Sequence, residues 1–175
     1  MKVVVVYEAM LGNTKSIGEG IAEGLREAGE VIAGTVDEVS PDEVGNTALI
    51  VAGGPTHAHG MARPNAHQSV AKMDPHHKYG PVLRGRESLR GWLERVPAGR
   101  AMGAAFDTRY DKPHWLTGSA AKKIARRLRD RGYSILGTES FFVRTTGGPL
   151  ADGELERAVA WGRALAAELR STVAA

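Results

Sequence analysis

Apolar runs and helical stripes alternate along this chain from its first residues. Lys2–Tyr7 is a continuous valine-rich run, the pattern of a strand buried on both faces of a parallel sheet. Ile17, Ile21, Ala22 and Leu25 then recur at helical spacing, and Gly29 stands where helices commonly end. A second strand is expected over residues 30–36, followed by a polar link at 37–46. A third apolar run at 48–52 ends in Gly53-Gly54-Pro55. Leu89, Trp92 and Leu93 mark a further helix, the small residues of 101–106 a fourth strand, and residues 107–117 a loop. Ser119 is placed to cap a helix carrying Ile124, Ala125 and Leu128, which Gly132 closes. Ser134–Val143 is the fifth strand. Asp152 is placed to cap a last helix whose apolar stripe is Leu155, Val159, Leu165, Ala166 and Leu169. Residues 56–86 break the rhythm with Pro64, Pro75, Pro81 and five of the six histidines, around a short helix expected near 65–73.

A β-α unit carried five times predicts an open parallel sheet with helices on both faces, a three-layer α/β sandwich. Ligands of such sheets sit outside the carboxyl ends of the strands, where strand order reverses. The segments to inspect are therefore 8–14, 53–63 and 107–118.

Composition narrows the chemistry. The 175 residues suit one domain spanning 1–175, and the absence of cysteine excludes disulfides, thiolate metal sites and cysteine nucleophiles. No apolar run reaches membrane-spanning length and no leader pattern is visible, so a cytoplasmic protein without a membrane partner is expected. A net charge of +3 admits an anionic ligand, but no basic stripe with interleaved aromatics points to nucleic acid. His57 and His59 lack a carboxylate or cysteine at ligand spacing, so no metal is expected. Nucleophile elbow, phosphate-binding Walker loop and dinucleotide fingerprint are all missing.

At the three loops the sequence resembles the flavodoxin family, over nearly the whole chain. The matching residues are Val3-Val4-Val5-Val6-Tyr7 leading into Gly12-Asn13-Thr14, then Gly54-Pro55-Thr56, then the segment from Asp107. The resemblance implies a flavodoxin-like sandwich with a five-stranded parallel sheet in the order 2-1-3-4-5, and FMN as cofactor. It implies that Ala9, Met10, Leu11, Gly12, Asn13 and Thr14 wrap the phosphate. Pro55, Thr56, His57, Ala58, His59 and Gly60, together with Asp107, Thr108, Arg109 and Trp115, would then flank the flavin ring. Tyr110 or Trp115 would cover one ring face. The first loop suits an anion physically, because a strand-to-helix turn aims backbone N–H groups and a positive helix end at one point. Gly12 permits close approach and Thr14 offers a hydroxyl.

The sequence departs from the family where Ala9 and Leu11 replace hydroxyl residues and Glu8 adds a negative charge, changes expected to weaken FMN retention unless Lys15, Ser16 and the backbone amides compensate. Arg63, Arg109 and Lys112, opposed by Asp107 and Asp111, predict a less negative potential than is usual in the family. The residues Lys122, Lys123, Arg126, Arg127, Arg129 and Arg131 make one helix basic, either as a solvated face or as a dock for an acidic redox partner. An electron carrier, serving a redox partner protein or a small-molecule acceptor, is the expected function. An FMN-dependent NAD(P)H:quinone-type oxidoreductase and a flavin-free binding or regulatory module stay open beside it. Neither a catalytic acid or base nor an oligomeric state follows from the sequence.

Overall fold

The computed structural model describes residues 1–57, 60–61, 87–113, 117–145 and 148–174. Its strands are β1 (Lys2–Tyr7), β2 (Glu30–Thr35), β3 (Leu49–His57), β4 (Gly60–Met61), β5 (Met102–Tyr110) and β6 (Ser134–Val143). The helices are α1 (Asn13–Leu25), α2 (Leu89–Arg95), α3 (Ala120–Asp130) and α4 (Glu154–Ala174). The sheet runs β2-β1-β3-β5-β6 in parallel, and the two-residue β4 pairs antiparallel with the end of β3. Counting the long strands alone, this is the expected 2-1-3-4-5.

Strand parity assigns the two cores. Val3, Val5 and Tyr7 of β1, Val51 of β3 and Phe106 of β5 pack with Ile17, Ile21 and Leu25 of α1 and Leu165 and Leu169 of α4. On the opposite face Val4, Val6, Ile50, Ala52 and Ala105 pack with Leu89, Trp92 and Leu93 of α2 and Ile124 and Leu128 of α3. Val3 to Val6 have no exposed surface, and each contributes about 1.5–3 kcal/mol by that burial. Gly53 sits beside its register partner Phe106 on β5, and a Cβ there would lie 2.1 Å from the Phe106 ring, so the ring fills the space a side chain at Gly53 would need.

Several boundaries differ from expectation. Strand β3 continues to His57 and β5 to Tyr110, so Asp107, Thr108, Arg109 and Tyr110 are strand residues rather than loop. The cause is the ten-residue β6, whose Ser140 to Val143 pair with Asp107 to Tyr110 and give this polar stretch a ladder. Asp152 does not cap α4, because its carboxylate pairs with Arg144 at the surface. Leu155 is 46% exposed instead of joining the apolar stripe. Ser119 caps α3 as expected, accepting from the Lys122 N–H at 3.3 Å, and Gly132 follows at φ +95°. The helix expected near 65–73 lies outside the described residues.

Candidate functional site

The carboxyl ends of β1, β3 and β5 come together beside the first turns of α1 and α3. Between β1 and α1 the chain turns through residues 8–12, with Gly12 at φ +87° and ψ −33°. An L-residue is strained there, and a Cβ at Gly12 would meet nothing within 4 Å, so the backbone faces open space. Ala9 and Met10 bury their side chains inward. Among the described residues no side chain caps α1, and its first helical backbone bond is from Ser16 N–H to the Gly12 carbonyl. Among the described residues, the backbone N–H groups from Ala9 to Lys15 therefore have no acceptor. With the positive end of the α1 dipole behind them, they form a ready anion cradle.

Glu8 does not oppose that cradle. Strand parity carries Val4, Val6 and Glu8 to the α2 face, where the Glu8 Oε2 accepts from the Leu89 N–H at 3.3 Å. Burial raises its carboxyl above the usual range; the Leu89 N–H and Arg90 act to lower it and Asp37 to raise it. Neighbouring Tyr7 has its phenol pushed up to about 12, first by burial and then by Glu19 and Glu38.

Thr14 and Thr108, both buried, bring the first and third segments into contact, with 2.8 Å between their hydroxyl oxygens. Only one of the two protons lies between them, so the pair retains one donor. Thr108 thus places a hydroxyl against a loop in which Ala9 and Leu11 supply none. Asn13 donates through Nδ2 to the Gly148 carbonyl at 2.6 Å, tying the turn to the segment after β6.

Thr56 and Asp107, expected to face a ligand ring, turn into the protein. Asp107 has no exposed surface, and its Oδ2 accepts from the Thr56 hydroxyl at 3.0 Å, the Ser119 hydroxyl at 2.7 Å and the Ala121 N–H at 2.9 Å. The Thr56 oxygen in turn accepts from the Ala120 N–H at 2.9 Å. Together they fasten the N-terminus of α3 to the ends of β3 and β5. Arg109 is buried as well. It donates to Ser140 and Thr117 at 3.1 Å each, reaches the carbonyls of Tyr110 and Lys112, and lies 5.1 Å over the Phe142 ring. Its Nε stands 4.0 Å from Asp107 Oδ1, so the positive charge expected near the ring has a buried carboxylate beside it. Pro55 and Gly60 flank this network on β3 and β4. His57 ends β3; Ala58, His59, Arg63 and Trp115 lie outside the described residues.

Against this geometry, the family model described as Flavodoxin matches residues 5–162. The chain belongs to the flavodoxin family. Solved structures with the same fold include a flavodoxin from the domain Archaea (20% identity, 97% of this chain and 99% of that one, TM-score 0.64). Oxidised Flavodoxin 2 from Bacillus cereus aligns at 19% identity over 96% of this chain and 99% of that one, with a TM-score of 0.68. The flavodiiron protein from Giardia intestinalis aligns at 18% identity over 97% of this chain but 36% of that one, with a TM-score of 0.60. A search of curated protein sequences finds no significant match.

FMN, the cofactor this flavodoxin family uses, can be tested against the donors present. The acceptor-free amides, the open space at Gly12 and the spare proton of the Thr14–Thr108 pair suit a phosphate, and the Glu8 carboxylate is engaged elsewhere. The residues present fit the phosphate end of the cofactor. Sequence reasoning placed Ser119 as the helix cap of this flavodoxin-family chain but missed the bonds that join Ser119 to Asp107, Ser140 to Arg109 and Leu89 to Glu8. Strand parity was the available signal: Asp107 and Arg109 follow Ala105 onto the α3 face, as Glu8 follows Val6.

Proposed function

We propose that this protein holds FMN and carries electrons between other redox proteins. The observation that supports it is the turn from β1 into α1, where a run of backbone N–H groups with no acceptor among the described residues surrounds Gly12 at φ +87°. The amides of this turn and the Thr14–Thr108 hydroxyl pair hold the phosphate, while the ends of β3 and β5 border the ring. When bound, the flavin supplies the redox chemistry, and the chain's own task is to fix and surround it. The Thr56–Asp107–Ser119 network does so by keeping α3 fastened to the strand ends. Lys112, exposed after β5, is a cation near the ring segments with no ion pair among the described residues.

The test is to titrate the purified protein with FMN and follow flavin absorbance, flavin fluorescence and melting temperature together. Saturable binding with a rise in melting temperature is expected, about 2.7 kcal/mol of stabilisation at a hundredfold excess over Kd. A colourless protein unmoved by FMN refutes the proposal and leaves a flavin-free module. NAD(P)H consumption with an added quinone would favour the oxidoreductase instead.

A further inference from the structure

The two helical layers differ in charge. Residues 87–100 and 117–133, which contain α2 and α3, hold nine basic and three acidic side chains. Residues 13–28 and 152–174, which contain α1 and α4, hold five basic and seven acidic ones. Within the basic layer Arg127 pairs with Glu94, and Arg131 binds the Glu94 and Val96 carbonyls. Lys122, Lys123, Arg126 and Arg129 are exposed and make no ion pair among the described residues.

The position of this face gives the charge a use. The same helix donates its Ala120 and Ala121 N–H groups to Thr56 and Asp107 at the strand ends. Lys123 lies across Gly60 of β4, its Nζ 2.4 Å from where a Cβ of that glycine would stand. The free cations therefore begin at the rim of the candidate cofactor crevice and run away from it along one helix. No aromatic side chain interrupts them on α3, so base stacking has no platform. We propose that the exposed face of α3 is the docking surface for a partner protein with an acidic surface, placing that partner beside the rim. Its purpose rests on the flavin proposal above, but the surface itself requires no flavin.

The test uses purified full-length protein, without and with added FMN, and an acidic haem carrier, cytochrome b5, as the probe, with basic cytochrome c and a single-stranded DNA oligonucleotide for comparison. Binding is measured by calorimetry from about 10 mM to about 150 mM salt, over which the Debye length shortens from about 30 Å to about 8 Å. Affinity for the acidic protein should fall about tenfold across that range, and cytochrome c should not bind. Lys122→Glu/Arg126→Glu should abolish binding. Arg163→Glu/Arg170→Glu, with the same change in net charge on the other layer, should retain most of it.

Equal loss in both double variants would overturn the proposal, because net charge alone would then be responsible. Binding to DNA but not to cytochrome b5 would overturn it in favour of nucleic acid. Failure to take up FMN with binding intact would remove the flavin proposal and leave the docking surface standing. Loss of docking with FMN bound would do the reverse.

Discussion

Replacing Asp107 with alanine tests whether one buried carboxylate holds the second helical layer to the ends of the strands. The change removes the acceptor of three donors at once: two hydroxyls and the Ala121 N–H. The hydroxyls of Thr56 and Ser119 can rotate, but the Ala121 N–H is fixed by the helix. Each buried donor left unpaired costs about 1–3 kcal/mol. Arg109, 4.0 Å away and buried, also loses a compensating charge, and breaking such a pair costs about 3–5 kcal/mol. These costs overlap, so the expected loss for Asp107→Ala is about 3–5 kcal/mol, a large part of the usual total of about 5–15 kcal/mol. Asp107→Asn keeps the volume and part of the acceptor capacity, and should cost roughly half as much. Urea unfolding followed by circular dichroism is the assay, with an unchanged m-value to show that the same surface is exposed. A cycle with Thr56→Val should reveal coupling of at least about 0.5 kcal/mol. A loss below about 1 kcal/mol for Asp107→Ala would refute the reasoning, since the network would then contribute no more than an exposed ion pair.

Three further outcomes follow from the same geometry. Gly12→Ala adds a Cβ that touches nothing, so only backbone strain at φ +87° should register, about 1–3 kcal/mol in urea unfolding; no measurable loss would mean that the turn relaxes freely. Gly53→Ala drives a Cβ into the Phe106 ring at 2.1 Å and should lower stability by at least about 1–3 kcal/mol, whereas a neutral result would contradict the packing described. The Glu8 carboxyl is raised in the folded state, chiefly by burial, so the native chain binds the extra proton between the unfolded and folded values. Stability from this group is then full below the unfolded value and is lost as pH rises through the folded one. Glu8→Gln should accordingly raise the melting temperature near about pH 7 and gain nothing near about pH 4, and the same gain at both would exclude the linkage.

The fold was legible because its strongest signals are local. Lys2–Tyr7 and Ser134–Val143 are apolar or β-rich runs bounded by turns, and both strands have those limits. Polar strand ends were not legible. Asp107, Thr108 and Arg109 look like loop in sequence, and they become strand only because β6 extends beside them. The acceptor-free turn at Gly12 was anticipated from its neighbours, since a valine strand followed by a glycine and an amphipathic helix leaves few other geometries. That the Thr56 hydroxyl would donate to Asp107 needed residues 51 apart to be brought within 3.0 Å. The Asp152–Arg144 pair escaped notice for a related reason: a cap and an ion pair compete for one carboxylate, and sequence alone does not rank them.

The most direct measurement compares FMN with riboflavin, which has the same ring and no phosphate, by flavin fluorescence titration of the purified protein. If the amides around Gly12 grip the phosphate, FMN should bind at least about tenfold more tightly, because one charge-assisted hydrogen bond contributes about 1.5–3 kcal/mol. Equal affinities, or no binding of either, would contradict the account.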